Sequence, residues 1–499
     1  MQESQRQRSL QALEKFLATP LASLLQKDNA TKAESATLAL FHSVAATVPA
    51  YQRFLNTQNI NPATIQSLAD FSQLPQVTKE NYLKVYSLDQ LCKDGKIESC
   101  DLIAASSGST GKPTFWPRFF SDELAITTRF EQIFHDSFFA DTRRTLAVVC
   151  FTLGTWVGGL FTTNCCRYIA SKGYPITVIA PGNNKEEIFR VVQELGGAFE
   201  QVVLLGYPPF IKDVVDTGIA RGVEWQKFNI KMVFAGEVFS EEWRSLVGER
   251  VRSTNFCYDS AALYGTADAG VLGNETPLSI CIRRWLANHP EAAKSLFGES
   301  RLPTLVQYDP LSRFFQVENG NLLFSGDNGI PLIRYNILDT GGIIPYDEML
   351  SFLGEYGFDP LTALAQERGV RELPFVYVFG RSNFTISYFG ANIYPENVTV
   401  GLEQPVIKEW VTGKFVLQVK EDTDQNKSLS IVVELAPGIA ASEEKKNAIA
   451  NSILSQLQRL NSEFANYVPQ AYQNPQITLT LTGDPEYFPI GVKHRYTRK

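Results

Sequence analysis

A chain of 499 residues, 44% apolar and 20% charged, is too long for one ordinary core and too apolar to be disordered, so two or more packed domains are expected. Its net charge of −7, with 46 Lys and Arg against 53 Asp and Glu, argues against a nucleic-acid partner, and the basic cluster of note is the C-terminal KHRYTRK. Seven Cys without metal-ligand spacing and four His outside any motif give no support to a zinc site, and the thiols read as buried and reduced rather than as a disulfide framework.

The N-terminal MQESQRQRSL lacks the apolar core of a signal peptide, which points to a cytoplasmic chain. Leu10, Leu13, Phe16 and Leu17, then Leu38, Leu40 and Phe41, recur at helical spacing, so the first ~70 residues are expected to be helical. Thr145 to Cys166 carries no charge over 22 residues, long enough for a bilayer. Gly154, Gly158, Gly159 and five Thr argue otherwise: TLAVVCFTLGTWVGGLFTT reads as a buried strand, a Gly-rich turn and the start of a helix, with no membrane span.

PITVIA then leads into NNKEEIFRVVQEL, whose Ile188, Val191, Val192 and Leu195 predict one helix face. QVVLLG, a helix from Pro209 to about Gly218, and IKMVFAG continue the alternation. Strands alternating with helices predict an α/β fold: a large layered N-terminal domain with mostly parallel sheets. Ligands in such folds sit at the C-terminal ends of the strands. After about residue 380 the pattern changes. Phe415, Leu417 and Val419 alternate, as do Leu429, Ile431, Val433 and Leu435, and Ile477, Leu479 and Leu481, around one helix marked by Ile449, Ile453, Leu457 and Leu460. A small C-terminal α+β domain is expected, with the chain divided into 1–379 and 380–499.

The most informative segment is SSGSTGKPT. Ser106, Ser107, Gly108, Ser109, Thr110 and Gly111 are followed by Lys112 and Pro113. Glycines let backbone amides approach a phosphate and hydroxyls donate to its oxygens, so this is chemistry for a polyphosphate. A Walker loop is excluded by Ser106 at its first glycine position and by Pro113 after the lysine. By composition alone an ordinary Ser/Gly-rich loop is an equal reading.

SSGSTGKPT resembles the phosphate loop of the adenylate-forming superfamily of acyl-CoA ligases, adenylation domains and luciferases, and most resembles phenylacetate–CoA ligase-like proteins. Further segments resemble that superfamily's motifs in family order, over roughly residues 100 to 495: VFAGEVFSEEWR, ALYGTADAG, GNLLFSG, PLIRYNILDTG, GRSNFTISYFGANIYPENV and PIGVKHR. The resemblance implies that Gly236 and Glu237 line the adenine pocket, that Tyr264, Gly265 and Thr266 lie at the nucleotide with Tyr264 against adenine, and that Asp268 binds Mg²⁺. It implies that Asp339 clamps the ribose hydroxyls, that Arg381 reaches the ribose or phosphate, that the loop with Thr110 and Lys112 holds the β- and γ-phosphates, and that Lys493 is the catalytic cation. A small lid domain turning about residues 381–383 would bring Lys493 in.

The chain departs from the family pattern at four places. Asp268 stands where Glu is usual, Ala267 where Thr or Ser is usual, Asn383 at the hinge, and Val492 inside the lysine motif, so that Arg495 or Arg498 is an alternative cation. The implied activity is ATP-dependent activation of a carboxylic acid to an acyl-adenylate with release of pyrophosphate. The acyl group would then pass to a thiol. CoA is expected, while a carrier protein, an amine or an alcohol, or a degenerate ATP-binding member of the fold, stay open. Trp156, Gly158, Tyr207, Phe234, Ala235 and Ala261 are the candidate acyl-pocket residues, and their apolar character favours an aromatic or other apolar acid.

Overall fold

The structure is a computed structural model, and it describes residues 5–497 apart from 28, 99, 106–113, 156, 300, 365–367, 382–385, 390, 422–426, 462–463, 466–467, 490–493 and 495. The strands in chain order are β1 (Leu102–Ala105), β2 (Phe115–Arg118), β3 (Thr145–Val149), β4 (Ile176–Ile179), β5 (Gln201–Gly206), β6 (Ile230–Ala235), β7 (Ser260–Thr266), β8 (Gly270–Asn274) and β9 (Thr304–Gln307). They continue as β10 (Phe314–Glu318), β11 (Asn321–Gly326), β12 (Leu332–Ile344), β13 (Phe375–Arg381), β14 (Ile386–Tyr388), β15 (Ala391–Ile393), β16 (Val411–Glu421), β17 (Lys427–Leu435) and β18 (Gln476–Thr480).

Among the described residues, eleven strands form one sheet in the order β10-β11-β12-β13-β9-β8-β7-β6-β5-β3-β4. From β4 to β7 neighbours are parallel, and from β7 to β10 they are antiparallel. The parallel strands read as unbroken apolar runs because helices cover both faces. Val203 and Leu205 join Phe130, Phe161 and Cys165 on one face. Val202 and Leu204 join Ile188, Val191, Val214 and Val247 on the other. The uncharged stretch at 145–166 resolves into β3 and the helix Val157–Ser171, and no helix among the described residues is long and apolar enough to cross a membrane. Leu195 ends its helix 41% exposed rather than joining the buried face of Ile188, Val191 and Val192. It is the last residue of that helix, and the short 3₁₀ turn Gly196–Ala198 follows.

β12 is the irregular element of the sheet. It carries positive φ at two non-glycine residues, Arg334 (48°) and Leu338 (65°), and its pairing with β11 and β13 shifts register. Such backbone is costly for a side chain with a Cβ and persists only where the surroundings hold it.

Beyond Ile386 the chain builds a second core. β14 and β15 form a hairpin, β16-β17-β18 form a sheet, and the helices Pro395–Leu402 and Glu443–Leu460 cover it. Phe415, Leu417, Ile431, Val433, Ile449 and Ile453 fill that core. Leu481 lies past the end of β18 and is 69% exposed, so the alternation read through it stops one side chain earlier. All seven cysteines are free thiols. Cys92, Cys150, Cys165 and Cys166 are buried, whereas Cys100, Cys257 and Cys281 are partly exposed, unlike the uniformly buried set expected.

Candidate active site

The C-terminal end of β7 meets β12 through Tyr264 and Asp339, and β6 ends beside β7. β6 ends at Ala235, and the loop from Gly236 to Ser240 leads into the helix Glu241–Arg250. Gly236 has φ 87°, and a Cβ there would lie 2.9 Å from the ring of Tyr207, so only glycine fits. Glu237 accepts a hydrogen bond from the hydroxyl of Tyr496. Ser240 caps the helix through the Trp243 N–H at 3.0 Å, and its hydroxyl also donates to Glu403. The loop following β6 is thus where the second core docks on the first.

β7 and β8 are a hairpin whose turn is Ala267–Ala269. Tyr264 Oη donates to Asp339 Oδ2 at 2.7 Å, and Asp339 is buried. Asp339 faces Arg381 across the β12–β13 ladder. Gly265 is exposed and pairs with Val271, and the Thr266 hydroxyl accepts from the Ala269 N–H at 3.1 Å, closing the turn. Asp268 sits at the apex, buried, and accepts from the hydroxyl of Tyr335.

Lys79 is a cation that the sequence reading did not single out. Its Nζ lies 3.7 Å from Asp268 Oδ1. The approach follows from backbone pairing: Val77 N–H donates to Arg334 O at 3.1 Å, and Asn336 N–H donates to Val77 O at 2.9 Å. This lays residues 77–79 along β12 beside Tyr335. No spacing signal links Lys79 to Asp268 in the sequence.

Two buried cations also hold the same turn. Arg118, at the end of β2, donates to Ala267 O. Arg313 donates to Ala269 O at 3.1 Å and to Asn328 Oδ1 at 2.7 Å. Among the described residues no group of three or more His, Cys, Asp or Glu could hold a metal ion. A cation here would therefore rest on Asp268 and on the phosphates of a bound nucleotide. That donor set suits Mg²⁺, which takes one or two carboxylates and keeps substrate phosphates and water as its other ligands.

A second, apolar wall lies beside the loop. Tyr207 packs edge-on to Phe151 with ring centroids 4.9 Å apart. A Cβ added at Gly158 would stand 3.4 Å from its hydroxyl. Ala235 and Ala261 belong to the same core. Burial pushes the Tyr207 phenol up to about 12, so it remains a neutral donor at physiological pH. Phe234 does not belong to this wall. It packs against Phe239 and Trp243, each at 5.2 Å, on the opposite face of the sheet. Successive strand residues face opposite ways, and placing Ala235 at the wall sends Phe234 behind it.

Ser106, Ser107, Gly108, Ser109, Thr110, Gly111, Lys112, Trp156, Asn383, Val492, Lys493 and Arg495 lie outside the described residues, as do Arg498 and the side chain of Arg381. The flanks of the C-terminal segment are described. His494 Nε2 lies 2.6 Å from Phe415 O, and Leu417 N–H donates to Tyr496 O at 2.7 Å, so this segment runs along β16. Burial pushes His494 down to about 4, which keeps its imidazole neutral.

No family model matches the chain, and no curated protein matches it in sequence. Among solved structures it is similar to 2-hydroxyisobutyryl-CoA ligase in the postadenylation state in complex with R3-HIB-AMP. The two share 14% identity over 93% of this chain and 88% of that one, with a TM-score of 0.66. The chain has the fold of this ligase. The same ligase in complex with 2-HIB-AMP and CoA, in the thioesterification state, covers 94% of this chain and 90% of its own at 14% identity, with a TM-score of 0.52. The chain thus superposes better on the first of these structures than on the second.

Proposed function

We propose that the protein is an AMP-forming carboxylate ligase. It activates an aromatic or other apolar acid with ATP and Mg²⁺ to an acyl-adenylate and passes the acyl group to a thiol, CoA. The observation that carries the reading is the convergence of the Tyr264–Asp339 hydrogen bond with the cation-bound Asp268 turn, beside an apolar wall, in a chain whose motifs run in the order of the superfamily. Tyr264 would lie against adenine, Asp339 and Arg381 would take the ribose hydroxyls, and the 106–112 loop would hold the β- and γ-phosphates.

In the first half-reaction a carboxylate oxygen of the acid attacks the α-phosphorus of ATP, and the bond to the pyrophosphate oxygen breaks. Negative charge builds on non-bridging oxygens, so the site has to position the two reactants and supply cations. Lys79 and Lys493 are the ammonium groups for this, and Asp268 would hold Mg²⁺, which neutralises phosphate charge. In the second half-reaction the thiol sulfur attacks the acyl carbon, the acyl–oxygen bond breaks and AMP leaves. A turn of residues 380–499 about 381–383 would separate the two halves. The Phe151–Tyr207 wall supports a compact apolar acyl group, of the kind that phenylacetate–CoA ligase-like proteins accept.

Acid-dependent ATP–pyrophosphate exchange, run without thiol over arylacetic, benzoic and fatty acids, tests the reading. Exchange with one acid class establishes adenylation and names the substrate. ATP binding without exchange on any acid overturns it in favour of a non-catalytic ATP-binding protein.

A further inference from the structure

Asp268 is one methylene shorter than the glutamate usual at its position, so its carboxylate has less reach and less tolerance of backbone error. A displacement of about 1 Å in a positioning group is enough to cost rate or affinity. The structure meets this from outside the hairpin. Arg118 donates to the carbonyl of residue 267 and Arg313 to that of residue 269, so the two guanidinium groups hold the carbonyls on either side of Asp268. Both side chains are buried, and the Nε of each has no hydrogen-bond partner among the described residues. A buried cation with a leftover donor is poor value for stability, since an apolar side chain of similar volume packs as well or better. The neighbouring backbone makes room for the pair. A Cβ at Gly326 would stand 3.1 Å from Arg313 Cδ and Nη1, and one at Gly329 would fall 1.9 Å from Pro117 O, beside Arg118.

We propose that Arg118 and Arg313 are positioning residues that aim the Asp268 carboxylate at the Mg²⁺ of the bound nucleotide. The inference rests on the assignment of Asp268 made above. Arg118 ends β2, so it reaches the turn from a strand outside the eleven-stranded sheet.

The test is a magnesium titration of ATP binding by calorimetry on the full chain, with AMP binding in the absence of metal as the reference. Arg313→Met is expected to raise the half-saturating Mg²⁺ concentration by about 10- to 100-fold, the usual cost of losing an outer-shell partner. AMP affinity should stay within about twofold, because Tyr264 and Asp339 are untouched. Arg313→Lys and Arg118→Lys keep the charge but lose the planar fork, and about a threefold rise is expected of each. These two decide the matter if Arg313→Met does not fold. Asp268→Asn separates the two levels of the argument. If it shifts the Mg²⁺ requirement and the arginine variants do not, or if they weaken AMP as much as Mg²⁺–ATP, the positioning role is overturned. If Asp268→Asn itself leaves the requirement unchanged, the metal assignment fails first and the positioning role with it.

Discussion

The turn at Asp268 and the wall at Tyr207 follow β7 and β5, two strands of one sheet with β6 between them, yet they are built on opposite principles. The turn is over-determined: two guanidinium groups, an ammonium, a phenol and a threonine hydroxyl fix three consecutive residues, Ala267 to Ala269. Among the described residues the wall is held by packing, with aromatic rings and alanines that can be exchanged without stranding a buried charge. A group that must meet developing charge tolerates little motion, whereas a surface that accepts an apolar acid can change shape at a cost of one or two methylenes.

The comparison can be broken most severely at the turn. Asp268→Ala is expected to lower acid-dependent ATP–pyrophosphate exchange about a thousandfold, and exchange at the parent rate would remove Asp268 from the chemistry. Asp339→Ala should weaken nucleotide binding by about 10- to 100-fold in calorimetry, the range for a lost hydrogen bond to a charged group. Lys79→Met should act on the phosphates alone, weakening ATP about tenfold and adenosine not at all, and equal losses on both ligands would assign Lys79 a purely structural part.

At the wall the expected effects are smaller and change preference rather than rate. Tyr207→Ala should move the best acid toward longer or bulkier chains by about 10- to 100-fold in relative exchange rate. Phe234→Leu, one residue from the wall but behind it, should cost about 1 kcal/mol of stability in denaturant melts and leave the acid preference unchanged.

A further effect, on stability alone, concerns the join between the two cores. Burial pushes the Glu403 carboxyl up to about 8, against the hydrogen bond from Ser240. A carboxyl whose folded pKa lies above its unfolded value of about 4.3 destabilises the fold progressively as pH rises between the two, and not at all below both. Glu403→Gln should therefore melt above the parent at pH 8 and with it at pH 4. A uniform offset at both pH values would show that Glu403 acts by packing instead.

The sequence made some of this legible and concealed the rest for physical reasons. The strands around Leu146, Leu204 and Val233 announce themselves because both faces of a parallel sheet are apolar. Asp268 and Asp339 stand out as candidates because each sits in a contiguous motif. Lys79, Arg118 and Arg313 come to Asp268 from three separate segments, and their contacts depend on backbone pairing and on carbonyl oxygens, which no residue pattern records. Phe234 shows a different failure. Strand alternation alone would have placed it opposite Ala235, but a pocket drawn from motif proximity ignored the face.

The irregular backbone of β12 bears on any attempt to engineer this protein. Leu338, at φ 65° and 40% exposed, is the kind of position that a stabilising design replaces with glycine, for a gain of about 1 kcal/mol. Its neighbour is Asp339. The exchange would relieve strain in the one strand that delivers both Tyr335 to the metal turn and Asp339 to Tyr264. A more heat-resistant protein obtained this way would be expected to hold its nucleotide less firmly.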